Sequence, residues 1–277
     1  MNHSAAEYSR AIFRSGTRIS LLLFVFLWLS SFLSARIAIY SDTQLNDEVH
    51  QDIITEIAAR KPDIAFLNGD LTSKGQTQTQ FDNWRSISEP LSSICRIYPA
   101  KGNHERDKAL FLQNFPYLEG NTWYTVDHDS LTCIVLDTTS DLKPGSEQYS
   151  WLRGVLAGLT KPALLFMHHP VFSSGMHGDE LGLSLFLPDL LSKSRVIAVF
   201  SGHDHAYERS VFGGVTYVVT GGAGGTLREA SRENPYRVCF NAVHHYLIAD
   251  EFADRLDFSV YSLTGELIDN FSIPYSK

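Results

Sequence analysis

The feature that most constrains the fold is an alternation of two kinds of segment, which runs from Arg36 to about residue 200. Short apolar runs of five or six residues, rich in β-branched and aromatic side chains, are typical of buried strands. These runs are RIAIY, DIAFL, CRIYPA, TCIVLD, ALLFMH and VIAVF. The segments between them carry apolar residues at helical spacing, although Pro188 should disturb the last one. Because strands that alternate with helices build βα units, this part predicts an α/β fold with a largely parallel sheet.

The C-terminal part of the chain has a different pattern. The segments VTYVVTGG, CFNAVHHYLIADE and LDFSVYSLTGELIDNFSI follow one another as strand-like sequences separated by turns. Consecutive strands of this kind predict a second sheet that is antiparallel or mixed. The chain has 277 residues, 44% of them hydrophobic, so it can bury a sizeable core. We expect one globular domain over residues 36–277.

Chemically distinctive side chains follow five of the six early strands. In an open α/β sheet the carboxyl ends of the strands line one edge, which is where ligands bind. The five strand ends continue as Ser-Asp-Thr-Gln from residue 41, Asn-Gly-Asp from 68, Gly-Asn-His-Glu from 102, His-His-Pro from 168 and Gly-His-Asp-His from 202. These strand ends therefore bring carboxylates, amides and imidazoles to one rim.

These residue types favour a metal site. Aspartate and histidine together suit Zn, Mn or Fe, and a carboxylate can bridge two ions about 3.5 to 4 Å apart. Residues two apart in an extended segment point the same way, so His203 and His205 can each serve a different ion of such a pair. Taken singly, Asp42 or Asp70 could be a helix N-cap, and Asn103 could be a turn residue. Five strand ends that all carry ligand-type residues are harder to explain as caps and turns.

The order of the motifs GDL, GNHE, HHP and GHDHAYER resembles the calcineurin-like metallophosphoesterase superfamily. GHDHAYER resembles its purple acid phosphatase-like branch most closely, and EQYSWLRGVL and GVTYVVTGGAGG resemble a family helix and a late strand with its glycine turn. The resemblance extends from about Arg36 to the C-terminus. It implies an α/β fold in which a two-sheet β-sandwich is flanked by helices and carries a dinuclear metal centre at its rim.

The resemblance also implies a role for each matching side chain. Asp42 and His205 would hold the first ion, Asp70 would bridge, and Asn103, His168 and His203 would hold the second ion. His104 would be a catalytic residue that contacts the substrate phosphate or protonates the leaving oxygen, and a histidine is suited to such proton transfer near neutral pH. Asn103 would help to neutralise charge on the phosphoryl oxygens.

Two positions depart from the family's pattern. Many members have Asp-x-His in the first motif, whereas this chain has Gln44 at the histidine position. A neutral amide oxygen is a weaker ligand for transition metals than imidazole, so Gln44 would be a weak ligand or an outer-shell group. The purple acid branch has a tyrosine three residues after the bridging aspartate. That position is Ser73 here, so we expect no tyrosinate-ligated iron.

The resemblance implies a metal-dependent phosphoric ester hydrolase of the acid phosphatase type. Two divalent or trivalent ions, Mn, Fe or Zn, would lower the pKa of a water molecule, and the resulting hydroxide would attack phosphorus. A small phosphomonoester is the favoured substrate. A phosphodiesterase acting on nucleotides or lipids and a non-catalytic scaffold with the same fold are the alternatives. Arg209 and Tyr207 could add substrate contacts, and an ion pair and packing are the other interpretations of these two side chains.

Net charge and the N-terminal segment bear on partners and location. The formal net charge of −8 argues against a basic surface that binds nucleic acid through its phosphates.

Arginines at positions 10, 14 and 18 precede SLLLFVFLWLSSFLSA, a pattern typical of a signal peptide or membrane anchor. We therefore expect residues 1–35 to direct export, or residues 19–35 to attach a catalytic domain outside the cytoplasm to a membrane. A buried core helix is the alternative, and cleavage stays open.

Overall fold

The computed structural model describes residues 33–275, which form two mixed β-sheets packed face to face, with helices on the outer sides. The first sheet contains, in spatial order, β13 (Leu267–Pro274), β12 (Arg255–Ser262), β11 (His245–Glu251), β1 (Ala35–Tyr40), β2 (Ile64–Leu67) and β3 (Arg96–Pro99). The second contains β10 (Arg237–Asn241), β8 (Tyr207–Phe212), β9 (Val215–Thr220), β7 (Val196–Ser201), β6 (Ala163–Phe166), β5 (Leu131–Val135) and β4 (Tyr124–His128). The helices are α1 (Asp47–Ala59), α2 (Gln78–Ser92), α3 (Lys108–Asn114), α4 (Glu147–Gly158), α5 (Leu181–Ser184) and α6 (Leu187–Ser192), with a 3₁₀ turn at Pro116–Leu118.

The predicted α/β sandwich flanked by helices is confirmed, but the parallel strands divide between its two sheets. β1, β2 and β3 are parallel neighbours in the first sheet, and β5, β6, β7 and β9 are parallel neighbours in the second. The expectation of one largely parallel sheet followed by a separate C-terminal sheet was therefore wrong. Strands β11 to β13 instead extend the first sheet from β1 in antiparallel pairing, which covers an edge that would otherwise carry unpaired backbone groups.

The side chains of each strand alternate between two cores. Ile37 and Ile39 of β1 belong to the core between the sheets, whereas Tyr40 packs with the residues of α1 and α2. The ring of Phe66 in β2 stacks on that of Phe166 in β6, with centroids 3.9 Å apart, and so joins the two sheets. Burial of one such side chain stabilises the folded state by about 1.5 to 3 kcal/mol. The core between the sheets therefore fixes the strand ends of one sheet relative to those of the other.

Helices α1, α2 and α4 lie where the apolar spacing predicts them. α1 begins after Asn46, whose side chain accepts the backbone N–H of Val49 at 3.2 Å. Pro188 does interrupt its segment, which divides into α5 and α6, and the proline stands in the first turn of α6, where a missing N–H breaks no helical hydrogen bond. The short elements β4 and α3 carry no strong periodicity and were not predicted.

Strand β1 begins at Ala35. Residues 1–32 lie outside the described residues, and with them most of the predicted signal or anchor segment. Between residues 33 and 275, no helix combines the length and the apolar composition needed to cross a membrane.

Candidate metal centre

The loops that follow β1, β2, β3, β6 and β7 meet at one end of the sandwich. Within residues 33–275, two groups of side chains there could each hold a metal ion. One group consists of Asp42, Asp70 and His168, and the other of His168, His169 and His203. The ligand atoms of each group lie within 4.8 Å of one another, and His168 belongs to both. The rim predicted from the strand ends is therefore present.

His168 is the meeting point on one side of this rim. Its Nε2 lies 2.9 Å from Asn103 Oδ1 and 3.2 Å from His203 Nδ1. Its Nδ1 bonds the backbone carbonyl of Asn68 at 2.8 Å, which fixes the orientation of the ring. In contrast, His169 Nδ1 lies 2.9 Å from a threonine hydroxyl at position 138. The structure thus brings together Asn103, His168 and His203, with His169 beside them.

Asp42 and His205 form the other side of the rim. Asp42 Oδ1 lies 3.5 Å from His205 Nε2. His205 Nδ1 bonds the backbone carbonyl of Thr226 at 3.0 Å, so Nε2 is the nitrogen directed at the carboxylate. Asp42 is fully buried and also accepts the backbone N–H of His203 at 3.0 Å. Because His203 belongs to the opposite side of the rim, this hydrogen bond connects the two sides.

Asp70 lies between the two sides. Its Oδ2 is 3.4 Å from His168 Nε2 and 3.1 Å from Gln44 Nε2, and Gln44 Nε2 is in turn 3.5 Å from His205 Nε2. The other oxygen, Oδ1, accepts the backbone N–H of His104 at 2.9 Å. A carboxylate in this position faces both ligand groups at once, which is the arrangement that a bridging ligand requires.

The donor atoms fit a pair of transition-metal ions. Nitrogen or oxygen ligand atoms about 2.1 Å from a shared tetrahedral ion are separated by about 3.4 Å, close to the spacings of 2.9 to 3.5 Å found on the two sides. Asp42 and Asp70 are 0% and 2% exposed, and two buried carboxylates side by side need positive charge.

The pKa shifts of Asp70 and His168 also indicate that the buried carboxylates need a positive charge beside them. Burial by itself would raise the pKa of Asp70, but His168 and His104 hold that pKa well below its usual range. Burial by itself would lower the pKa of His168, but the Asp70 carboxylate outweighs it, and the pKa of His168 is raised to about 9. Without a metal, a proton on His168 thus supplies part of the positive charge that Asp70 requires.

The backbone at the site adopts conformations that residues other than glycine rarely adopt. Asp42, Asp70 and His203 have φ angles of 60°, 53° and 71°, in the left-handed region. Positive φ is uncommon for residues other than glycine and tends to occur at functional sites. Gly202 allows the close approach of two of these loops, since a Cβ there would come within 2.2 Å of Asp42 Oδ2.

Gln44 lies within the site, but as a hydrogen-bond donor. Its amide nitrogen faces Asp70 and His205, while its oxygen is buried and has no hydrogen-bond partner within residues 33–275. An amide NH₂ group has no lone pair to offer a cation, so in this orientation Gln44 does not act as a ligand.

His104 stands at the edge of the same site, half-buried. Its Nδ1 lies 2.6 Å from the backbone carbonyl of Ser73, which can only accept, so Nδ1 carries the hydrogen. Its Nε2 lies 3.8 Å from Asp70 Oδ2. This nitrogen is therefore the one available to a molecule bound at the rim.

Tyr207 and Arg209 are the two predicted site residues that the structure does not bring to the rim. Tyr207 donates its hydroxyl to Asp269 Oδ2 at 2.6 Å, and Arg209 Nε donates to the same oxygen at 2.7 Å. Tyr207 is fully buried in the core between the sheets. Since Asp269 belongs to β13, these contacts connect the two sheets rather than line the site, which matches the ion-pair and packing interpretations.

Two residues at the site were missed by sequence reasoning. Glu105 is fully buried and accepts four backbone N–H groups, three of them from residues 70–72. Its place as the fourth residue of GNHE was the available signal. His177 lies with its ring 4.2 Å from that of His203. It stands nine residues after His168 in a loop with no regular pattern, so only the three-dimensional structure reveals it.

Comparisons with known proteins agree with this geometry. The calcineurin-like phosphoesterase family matches residues 35–207. Two Arabidopsis thaliana proteins, "probable inactive purple acid phosphatase 27" and "probable purple acid phosphatase 20", are each 29% identical to the chain, over 62% and 53% of its length. These alignments cover only 36% and 40% of the two plant proteins.

The solved structure of purple acid phosphatase PPD1 from yellow lupin (Lupinus luteus) seeds shares the fold, with a TM-score of 0.77 at 20% identity. The superposition covers 87% of this chain and 53% of the lupin chain. The family match spans more than half of the chain and includes every strand end that lines the rim. The chain therefore belongs to the calcineurin-like phosphoesterase family, and its relatives include purple acid phosphatases.

Proposed function

We propose that this protein is a metal-dependent phosphoric ester hydrolase that acts on a phosphomonoester. The observation that carries the proposal is the position of Asp70, whose Oδ2 faces His168 on one side and, on the other, the Gln44 amide that in turn faces His205. In this proposal Asp42 and His205 would hold one ion, Asp70 would bridge, and Asn103, His168 and His203 would hold the other. Two bound ions would lower the pKa of water and neutralise charge on the phosphoryl oxygens.

The residues around the ions would bind and orient the ester. Hydrolysis breaks the bond between phosphorus and the ester oxygen, forms a bond from the water oxygen to phosphorus, and delivers a proton to the leaving oxygen. His104 fits that last step in its doubly protonated form, because the Ser73 carbonyl accepts its Nδ1–H and its Nε2, 3.8 Å from Asp70 Oδ2, would carry the second proton at the rim. His177, which lies over His203, is a second candidate for contact with the phosphate or the leaving group.

A non-catalytic scaffold is the second candidate function. The observation that favours it is Gln44, which presents an amide N–H₂ where an imidazole would bind an ion. The name of one Arabidopsis thaliana relative also includes the word inactive. The other candidate ligands are all retained, and His104 has no evident use in a scaffold, so we place the hydrolase first.

Metal reconstitution separates these candidates. The full-length chain would be stripped with a chelator, reloaded with Mn, Zn, Fe or Mg, and assayed with a chromogenic phosphate monoester and the matching diester. Asp70→Asn should abolish turnover, and the matched exposed substitution Asp82→Asn, at a side chain 56% exposed, should not. Preference for the diester would move the assignment to a phosphodiesterase. A folded protein that binds metal but turns over neither ester would favour the scaffold.

We also propose that residues 1–35 direct export or anchor the protein to a membrane, with the catalytic domain outside the cytoplasm. The proposal rests on the three arginines that precede the apolar run. Cell fractionation combined with mass spectrometry of the N-terminus tests it. An intact N-terminus on a purely cytosolic protein would overturn it.

A further inference from the structure

The loop of residues 173–178, between β6 and α5, carries His177 over the candidate metal centre. The His177 ring lies 4.2 Å from that of His203, at an angle of 34° between the ring planes. The His177 side chain is 37% exposed, so it can reach a bound molecule. Loops of this kind contain no ladder of backbone hydrogen bonds, and something else must set the direction of the imidazole.

The carboxylate of Asp204 provides that restraint. Its Oδ1 accepts the backbone N–H of His177 at 3.0 Å and faces His177 Nδ1 at 2.9 Å. Its Oδ2 accepts the Ser173 hydroxyl at 2.6 Å and the backbone N–H of Gly178 at 3.2 Å. One side chain from the segment after β7 thus binds the loop at its start, at its histidine and at its end.

The fit between Asp204 and this loop is close. Asp204 is 2% exposed, and within residues 33–275 its ion-pair partner is His177, with no lysine or arginine in contact. A Cβ on Gly175 would come within 2.3 Å of Asp204 Cγ, so the loop backbone packs directly on the carboxylate. A buried charge that accepts four hydrogen bonds is costly to disturb, which makes this a rigid attachment.

The turn between β7 and β8 explains why this residue has this role. His203, with a φ of 71°, and His205 point to the rim, and Asp204 between them points towards the loop. A single short segment therefore supplies two candidate metal ligands and the anchor of the loop that covers them.

We propose that Asp204 is a positioning residue for His177. Since a carboxylate only accepts, it holds a hydrogen on Nδ1 and fixes the rotation of the ring, which directs Nε2 at the site, where the doubly protonated ring would donate its Nε2–H to the substrate phosphate or its leaving oxygen. The effect on turnover rests on the proposed function, whereas the effect on the ring itself does not.

Two measurements on the full-length chain test the proposal. The first is nitrogen-15 NMR of His177 in the zinc-loaded protein, with His177→Asn used to assign the signal. The neutral ring should carry its hydrogen on Nδ1 in the unaltered protein and should become a mixture of tautomers in Asp204→Asn. A ring that carries its hydrogen on Nε2 in the unaltered protein, or exchanges between the two tautomers there, would overturn the proposal. This outcome is read from the unaltered protein, so it depends neither on the folding of a variant nor on turnover.

The second measurement is a double-mutant cycle on kcat. Loss of an outer hydrogen-bond partner typically costs about 10- to 100-fold in activity, and we expect such a loss for Asp204→Asn. The same substitution in a His177→Asn background should cost less than about 2-fold, because its effect passes through His177. An equal loss in both backgrounds would show that Asp204 acts instead through the neighbouring ligands, and the proposal would fail.

Glu208 offers a matched control. Its carboxylate holds the same loop at Ser174, through the backbone N–H at 2.7 Å and the hydroxyl at 2.8 Å, without touching His177. Glu208→Gln should weaken the loop yet leave the His177 tautomer unchanged. If the unaltered enzyme proves inactive with every metal but His177 holds its Nδ1 hydrogen only when Asp204 is present, the proposed function fails and the positioning role stands.

Discussion

The carboxylate of Glu105 accepts the backbone N–H of Asp70 at 2.9 Å, and so connects two strand ends that are 35 residues apart in sequence. It also accepts N–H groups from Leu71, Thr72 and Gly102. Burial and the nearby Asp70 carboxylate raise the pKa of Glu105 to about 7, against the opposing effect of these donors. The left-handed conformation of Asp70 is thus held from outside by one buried side chain.

Replacing Glu105 with glutamine should therefore both destabilise the fold and weaken the metal site. The amide offers one acceptor oxygen, and its NH₂ group would face backbone N–H donors. We expect a loss of about 1 to 3 kcal/mol in the free energy of unfolding. We also expect about 10- to 100-fold weaker metal binding, measured by titration against a chelating dye. Glu89→Gln, on the exposed side of α2, should change neither.

The ion pair of Arg209 with Asp269 predicts that a substitution away from the rim lowers stability but leaves substrate binding unchanged. Arg209 donates two hydrogen bonds to Asp269, at 2.7 and 3.2 Å, and both side chains are largely buried. Arg209→Met should lower the free energy of unfolding by about 1 to 3 kcal/mol. The KM for the preferred phosphate ester should stay within about 2-fold, because Asp269 lies on β13 and not at the rim. A tenfold rise in KM in a stably folded variant would restore the substrate role.

Local patterns in the sequence were enough to predict most of the strands and the residues at their ends. Strands β1, β2 and β3 and the parallel strands of the second sheet follow from their apolar runs, and Asp42, Asp70 and His168 follow from their place after a strand. The division of the parallel strands between the two sheets was not predictable by the same reasoning, because the period of a strand does not specify its neighbour.

The contacts made by individual side chains at the site were also beyond sequence reasoning. Tyr207 and Arg209 stand in the same motif as His203 and His205, yet they contact Asp269 in the other sheet. His177 joins the site through a loop whose path depends on Asp204. In each case the partner lies far away along the chain, so no local spacing records the contact.

Gln44 lies at the metal position proposed for Asp42 and His205, so a substitution there should be able to raise the affinity for an ion at that position. Gln44 Nε2 lies 3.1 Å from Asp70 Oδ2 and 3.5 Å from His205 Nε2, and its side chain is 3% exposed. Gln44→His would replace an N–H donor with an imidazole, which is a far better ligand for Zn or Mn. We expect the weaker of two binding steps to tighten by at least tenfold in calorimetric titration.

Gln44→Leu is the matched control for that substitution. It fills a similar volume but offers neither a donor nor a ligand atom, so it should not tighten the weaker step. Equal affinities in Gln44→His and Gln44→Leu would contradict a metal position at Asp42 and His205, since an added imidazole would then have no ion to bind.

His50, on α1, gives the domain a stability that depends on pH. The residue is 1% exposed, its Nε2 lies 3.2 Å from the Ser88 hydroxyl, and burial lowers its pKa to about 4 against the opposing effect of Asp47. In the unfolded chain a histidine titrates near pH 6.5, so the unfolded state takes up a proton first as the pH falls. Stability from the neutral ring is complete above about pH 6.5 and is lost progressively down to about pH 4.

A non-titrating residue at position 50 should remove this dependence. Between pH 7.5 and pH 5 the unaltered chain should lose about 2 kcal/mol more unfolding free energy than His50→Gln, by the linkage between the folded and unfolded pKa values. Urea unfolding at both pH values, with chelator present and at constant ionic strength, measures the difference. Glutamine can still reach the Ser88 hydroxyl, so the comparison isolates the proton rather than the hydrogen bond. Parallel loss of stability in the two proteins would mean that the His50 ring titrates equally when folded and unfolded, which its burial against α2 argues against.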